Sequence, residues 1–220
     1  MFKFSVPEVR DLLISFLVIS LGFAVLNSGM NFSLVAGLLP AVMVGVGLGF
    51  IFHELAHKFV AMHYNFYAEY KMWTIGLVIA LVSPFLGFIF AAPGAVHIYG
   101  QYMSDRENGI ISIAGPLLNI VLSIIFLLCG AYLFANPALI GFDGSNLIFQ
   151  TCLMGFSINA FLALFNLIPF SVLDGAKIFR WDPLIWLVTA AVAGGLVLVS
   201  FTSLEQVLKF LAGAIFGGVF

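Results

Sequence analysis

Charge is scarce in this sequence. Only 8% of its 220 residues are Asp, Glu, Lys or Arg, whereas soluble domains carry about 25%. A soluble globule of this size could not cover its surface with so few charges, and its exterior would be one apolar patch. Disorder is excluded by the opposite test, because 63% of the chain is hydrophobic and disordered segments are polar and charged. A net charge of −2 offers no basic footprint for nucleic acid, and neither nucleic acid nor nucleotide is an expected partner. The two cysteines, Cys129 and Cys152, sit in separate apolar stretches, which leaves no cysteine metal cluster and no disulfide framework. Internal repeats and low-complexity tracts are lacking, and so is any polar segment long enough to fold alone. The chain reads as a polytopic membrane protein whose function lies in or beside the lipid bilayer.

What is present is a series of apolar runs at 12–26, 34–62, 74–91, 109–135, 148–170, 183–201 and 204–220. A helix needs about 20 apolar residues to cross a bilayer, within a range of about 17–25. Lys3 and Arg10 give the first run a basic flank, but no small-residue cleavage site follows at Asn27-Ser28-Gly29, so it reads as a retained helix. The run 74–91 contains Ser83-Pro84 and Gly87 and closes on Ala91-Ala92-Pro93-Gly94, all plausible break points for a helix. Cytoplasmic flanks carry the excess of Lys and Arg. If 74–91 returns to its own side, the cations split seven to one, with Lys209 alone on the far side; if it crosses, they split five to three. The re-entrant reading is preferred. It predicts an all-α polytopic membrane protein with about six transmembrane helices, a re-entrant apolar segment and both termini cytoplasmic. Residues 1–220 form one membrane-embedded domain, with a core at about 34–180 and a C-terminal helical hairpin at 183–220.

The sequence at 50–59 reads Phe-Ile-Phe-His-Glu-Leu-Ala-His-Lys-Phe. His53, Glu54 and His57 form an H-E-x-x-H pattern inside a hydrophobic helix. Positions i and i+4 share one helical face, so both imidazoles can bind one zinc ion. Zinc lowers the pKa of a bound water toward ~7, and Glu54 stands where a general base could take its proton. Short patterns do occur by chance. Here, however, charged residues at bilayer depth cost roughly 2.5–3.5 kcal/mol even on the gentler insertion scale, so this cluster needs a reason. Gly45 and Gly49 precede the histidines at steps of four, a spacing that lets a neighbouring backbone approach and turns this face into the bundle.

A catalytic zinc takes a third protein ligand and keeps one position open for water. His63 has the spacing of a longer zinc motif, but Val60 stands where that motif needs glycine. A continuous helix puts His63 roughly 240° around from His57 at about 100° per residue. Glu69 is a second rival, without an intervening helix to bring it back. Asp174 is the better candidate: Pro169 stops the preceding helix, and Gly175 permits a tight backbone beside the carboxylate. An ordinary Asp-Gly turn at a membrane exit is the competing reading. Asp174 and His57 reach the same side of the bilayer only if 74–91 is re-entrant, which the charge split favours independently.

Together these residues resemble the site-2 protease family of intramembrane zinc metalloproteases. His53-Glu54-Leu55-Ala56-His57 is similar to the family's first motif. Asn166-Leu167-Ile168-Pro169, followed by Asp174-Gly175, is similar to its N-x-x-P-x-x-x-x-D-G motif. Between them, Gly115-Pro116-Leu117-Leu118-Asn119 resembles the G-P-x-x-N of its central helix. The resemblance implies a three-helix catalytic core that cleaves transmembrane helices of other membrane proteins. It implies one Zn2+ per chain on His53, His57 and Asp174, with Glu54 as base and Asn166 and Asn119 steadying the substrate backbone or oxyanion. Pro93 to Gly100 resembles the family's short strand segment beside the active site, where an exposed edge could pair with an unwound substrate; His97 within it reads as a local polar contact. Many relatives carry a PDZ or CBS domain, and this sequence shows neither. The implied location is the plasma membrane of a prokaryote, with the active site toward the cytoplasm. Two other functions fit the composition: a catalytically inactive metal-binding partner protein, and a metal or proton transporter using intramembrane His, Glu and Asp as a relay.

Overall fold

A computed structural model of the protein describes residues 4–100, 102–139 and 146–217. The polar residues that interrupt the apolar runs start its helices. Ser5 caps α1 (Val6–Asn27), its Oγ accepting the Glu8 N–H at 3.2 Å, and Pro7 occupies the first turn, where no N–H is needed. Asn31 caps α2 (Phe32–Val46), which passes through a π-helical turn at Gly47–Ile51 into α3 (Phe52–His63). Strand β1 (Tyr67–Met72), helix α4 (Thr74–Val82) and strand β2 (Gly94–Tyr99) follow. A capping box between Ser104 and Glu107 opens α5 (Asp105–Ala135), and Asn146 caps α6 (Leu147–Asn166). After the short α7 (Asp174–Trp181), Asp182 caps α8 (Pro183–Leu198), which continues through a second π turn into α9 (Leu204–Phe216).

Among the described residues, five helical runs are long and apolar enough to cross a membrane: Val6–Asn27, Phe32–His63, Asp105–Ala135, Leu147–Asn166 and Pro183–Phe216. The sequence reading anticipated about six, with 183–220 folded as a hairpin. The structure corrects this, since the last two apolar runs form one 34-residue stretch. Its polar residues do not break the helix because they bond locally or to a neighbour. Thr202 Oγ1 donates to the Leu198 carbonyl at 2.7 Å, and Ser200 Oγ pairs with Ser157 Oγ at 2.7 Å. The stretch begins where Trp181 packs on Gly109 near the start of α5, and ends where Phe216 meets Tyr132 near its finish. The described ends of the chain therefore lie at opposite ends of the bundle, against the expectation that both termini share a side.

The run 74–91 does turn back. Met72 pairs with Gly94 in the antiparallel β1–β2 register, and the Trp73 N–H donates to the Pro93 carbonyl at 2.7 Å. Between these joined ends, α4 and a 3-10 turn at Ser83–Leu86 lead to Gly87, whose φ of +85° reverses the chain. Arg10, Lys58, Lys71, Arg106, Lys177 and Arg180 then lie toward the end of the bundle that carries the sheet, and Lys209 lies in α9 toward the other. Lys3, counted with the first group in the sequence, is outside the described residues, as are 218–220 of the last apolar run.

The two edges of the sheet differ. Glu8 Oε1 accepts the Tyr70 N–H at 3.1 Å and Asp11 Oδ2 the Met72 N–H at 3.3 Å, so carboxylates of α1 occupy the outer edge of β1. Backbone groups alternate in direction along antiparallel strands. The partners of Tyr70 and Met72, which are Val96 and Gly94, therefore turn their backbone groups away from β1. Apart from the Val96 backbone, which donates to Glu54, this outer edge of β2 carries no hydrogen bond among the described residues. Helix α5 lies at the centre of the bundle, packed against α3, α6, α7 and α9.

Candidate metal centre

His53 and His57 project from one face of α3 onto α5, and both are buried. The oxygen facing His57 Nδ1 at 2.7 Å is the Ile111 carbonyl, which can only accept. His57 Nδ1 therefore carries a proton. Pro116, inside α5, removes a ladder hydrogen bond one turn back, beside the carbonyl that His57 uses. His53 Nδ1 lies 2.5 Å from Asn119 Oδ1, while the Asn119 amide donates to the Gly49 carbonyl (3.1 Å) and to Asn159 Oδ1 (3.0 Å). That fixes the orientation of the amide, and His53 Nδ1 is a donor as well. Both histidines thus present bare Nε2 lone pairs.

Those lone pairs converge. The two Nε2 atoms are 3.0 Å apart, and Asp174 Oδ2 lies 3.3 Å from His53 Nε2 and 3.0 Å from His57 Nε2. A tetrahedral zinc ion with bonds of about 2.0–2.1 Å spaces its donors about 3.3 Å apart. Two lone pairs and a carboxylate oxygen around one point become favourable only when a shared positive charge sits between them. The donor set therefore fits zinc, and His53, His57 and Asp174 form a metal-capable cluster among the described residues.

Asp174 arrives at the first residue of α7. Gly175 makes this possible, because a Cβ there would stand 2.1 Å from the Leu167 carbonyl oxygen at the end of α6. Burial works against the charged form of Asp174. Lys177, with its Nζ 3.4 Å from Oδ1, supplies a positive charge that favours it. Gly115 plays the same spatial role on α5, since a Cβ there would lie 2.6 Å from the Nε2 atoms of both histidines.

Glu54 is buried beside the cluster and outside it. The Val96 backbone of β2 donates to its carboxylate, and Oε2 has no hydrogen-bond partner among the described residues. The site opens on a cavity of about 510 Å³ lined by Glu54, Asp174, Asn166, Lys177 and residues 94–98 of β2.

Of the other residues singled out in the sequence, Asn166 lines this cavity, its amide donating back to the Leu162 carbonyl. Asn119 does not reach it. It is wholly buried, and both ends of its amide are engaged with His53, Gly49 and Asn159, which corrects its placement at the substrate. His63 is exposed against the Tyr64 ring, and Glu69 accepts from Ser5 Oγ on β1, so neither joins the donor cluster. His97 stands at the cavity rim across the sheet from Glu69. Asn159 escaped the sequence reading; its only signal was a lone amide in an apolar helix.

The chain is 39% identical over 186 residues to the provisionally named zinc metalloprotease MJ0611 of Methanocaldococcus jannaschii, which covers 84% of this chain and 90% of the relative. The chain belongs to this family of zinc metalloproteases. YwhC of Bacillus subtilis, another member with the same provisional description, is 32% identical over 158 residues, or 65% of this chain and 69% of its own. Rip2 of Mycolicibacterium smegmatis, described alike, is 28% identical over 156 residues, or 63% and 56%. The chain matches no protein-family model and no solved structure. Membership in the zinc metalloprotease family agrees with the donor set of the cluster.

Proposed function

We propose that this family member is an intramembrane zinc metalloprotease of the site-2 type, cutting peptide bonds within or near transmembrane helices of other membrane proteins. One observation carries the reading. A buried His-His-Asp donor set with zinc spacing lies inside an apolar helical bundle, next to a buried carboxylate and the outer edge of a strand. One metal-binding core, spanning about 34–180 within a single membrane-embedded domain, contains all of these parts.

His53 and His57 would hold the ion through Nε2 and Asp174 through Oδ2. When bound, zinc supplies a Lewis acid that acidifies water and polarises a peptide carbonyl. Glu54 takes the proton of the attacking water and delivers it to the departing amine; its unpartnered Oε2 is free for that work. The outer edge of β2 pairs with an extended stretch of substrate, which opens a helix whose own hydrogen bonds shield its carbonyls. Asn166, at the cavity wall, steadies that stretch. The cationic residues gathered at the sheet end support a cytoplasmic orientation of the site, in the plasma membrane of a prokaryote.

The experiment is zinc analysis of detergent-purified protein, with cleavage of a transmembrane test substrate in proteoliposomes. Wild type is expected to hold one zinc and cleave, and Glu54→Gln to hold zinc without cleaving. A Glu54→Gln protein that still cleaves removes Glu54 as base. Zinc flux into liposomes without cleavage would replace the protease with a transporter.

A further inference from the structure

We infer that Lys177 is a positioning residue that keeps Asp174 bound through one oxygen only, preserving the open position of the metal centre. The inference rests on the zinc reading above. Asp174 divides its two oxygens between different partners: Oδ2 faces both histidine Nε2 atoms, and Oδ1 lies 3.4 Å from Lys177 Nζ. A carboxylate can bind a metal through one oxygen or both. With both engaged, it would fill the position that a hydrolytic zinc keeps for water. The ammonium group of Lys177 holds Oδ1 away from that position.

Three features separate this contact from an ordinary surface ion pair, which contributes little. Asp174 is only 7% exposed. The Lys177 side chain, 35% exposed, lines the same cavity as Glu54 and Asp174 instead of facing away from it. The spacing is also built into the fold: Asp174 opens α7, and a lysine three residues on returns to the same face. Gly175 locks the first turn of α7 against α6, so the carboxylate cannot retreat as a body. Rotation of its own plane is the freedom left, and Lys177 restrains it.

The test replaces zinc with cobalt, whose visible absorption weakens when a fourth-coordinate site becomes five-coordinate. Wild type, Lys177→Met and Lys177→Arg are purified in detergent, loaded with Co2+, and titrated against a chelator for Zn2+ affinity. The expected result is a weaker cobalt band in Lys177→Met, with zinc affinity altered by roughly 10–100-fold, and recovery of both in Lys177→Arg. A Lys177→Met band of wild-type intensity with unchanged affinity overturns the inference. So does loss of metal from both variants, which would mean that any change at this position disrupts the fold. Should wild type itself take up neither metal, the zinc reading fails, and the wild-type control separates that outcome from failure of the inference alone.

Discussion

His53, which lines the cavity, and Asn119, wholly buried behind it, are joined by a 2.5 Å contact between Nδ1 and Oδ1 in the interior of the bundle. The amide of Asn119 is in turn held by Gly49 and Asn159, and Asn159 donates to the Gly155 and Gly45 carbonyls. This chain of amides fixes the His53 tautomer, leaving Nε2 bare for a metal. Partners of this kind orient a ligand and raise its basicity. Asn119→Leu, close in size but without an acceptor, is expected to lower zinc affinity by roughly 10–100-fold. A chelator competition titration on the purified variant measures it, and wild-type affinity would show that Asn119 only fills space.

Gly115 makes a sharper prediction. Its missing side chain is the space occupied by the two imidazoles, since a Cβ would stand 2.6 Å from each Nε2. Gly115→Ala should fold, because alanine favours the helix by about 1 kcal/mol over glycine, but it should not retain zinc. Circular dichroism and metal content measured on the same sample test both halves. Helical protein with a full zinc complement would contradict the packing argument.

Much of this site was legible in the sequence, and the reasons are local. His53 and His57 are one helical turn apart, so their common face follows from helix geometry. Asp174 could be brought to them by Pro169, Gly175 and the parity of membrane crossings. What was misread depends on direction or distance. The motif around Asn119 shows that an amide is present, but its orientation follows from Gly49 on α2–α3 and Asn159 on α6, both remote in sequence. Thr202 and Ser203 look like a boundary between two spans, yet the Thr202 hydroxyl bonds to the carbonyl four residues back, and the helix continues. The pairing of Glu8 with Lys58 across 50 residues had no local signal.

That pair predicts a stability effect. Lys58 Nζ lies 2.6 and 2.5 Å from the two Glu8 oxygens, and both residues are at most 2% exposed. Glu8 also accepts the Tyr70 N–H, so one carboxylate ties α1 to the helix of His57 and to β1. Removing one member leaves a buried charge without its ion-pair partner, at a cost of about 3–5 kcal/mol. Lys58→Met should lower the thermal unfolding midpoint in detergent clearly, and Glu8→Gln combined with Lys58→Met should recover most of the loss. If Lys58→Met alone unfolds at the wild-type temperature, the pair is not a structural tie.

The outer edge of β2 separates substrate binding from metal binding. Val96 and Gly94 turn their backbone groups away from β1, and alternation places Ile98 in the same set, whereas Ala95 and His97 alternate toward β1. Proline lacks an N–H and is tolerated on edges where that N–H makes no ladder bond. Ile98→Pro should therefore keep the sheet and the zinc while removing one donor for an incoming strand, and Ala95→Pro should disrupt the sheet itself. Measured against a transmembrane test substrate, Ile98→Pro is expected to reduce cleavage about tenfold, in line with a loss near 1.4 kcal/mol for one missing hydrogen bond. Zinc content should remain at the wild-type value. Unchanged cleavage by Ile98→Pro would mean that substrate enters without pairing on this edge, and the opening of the substrate helix would then need another agent in the cavity.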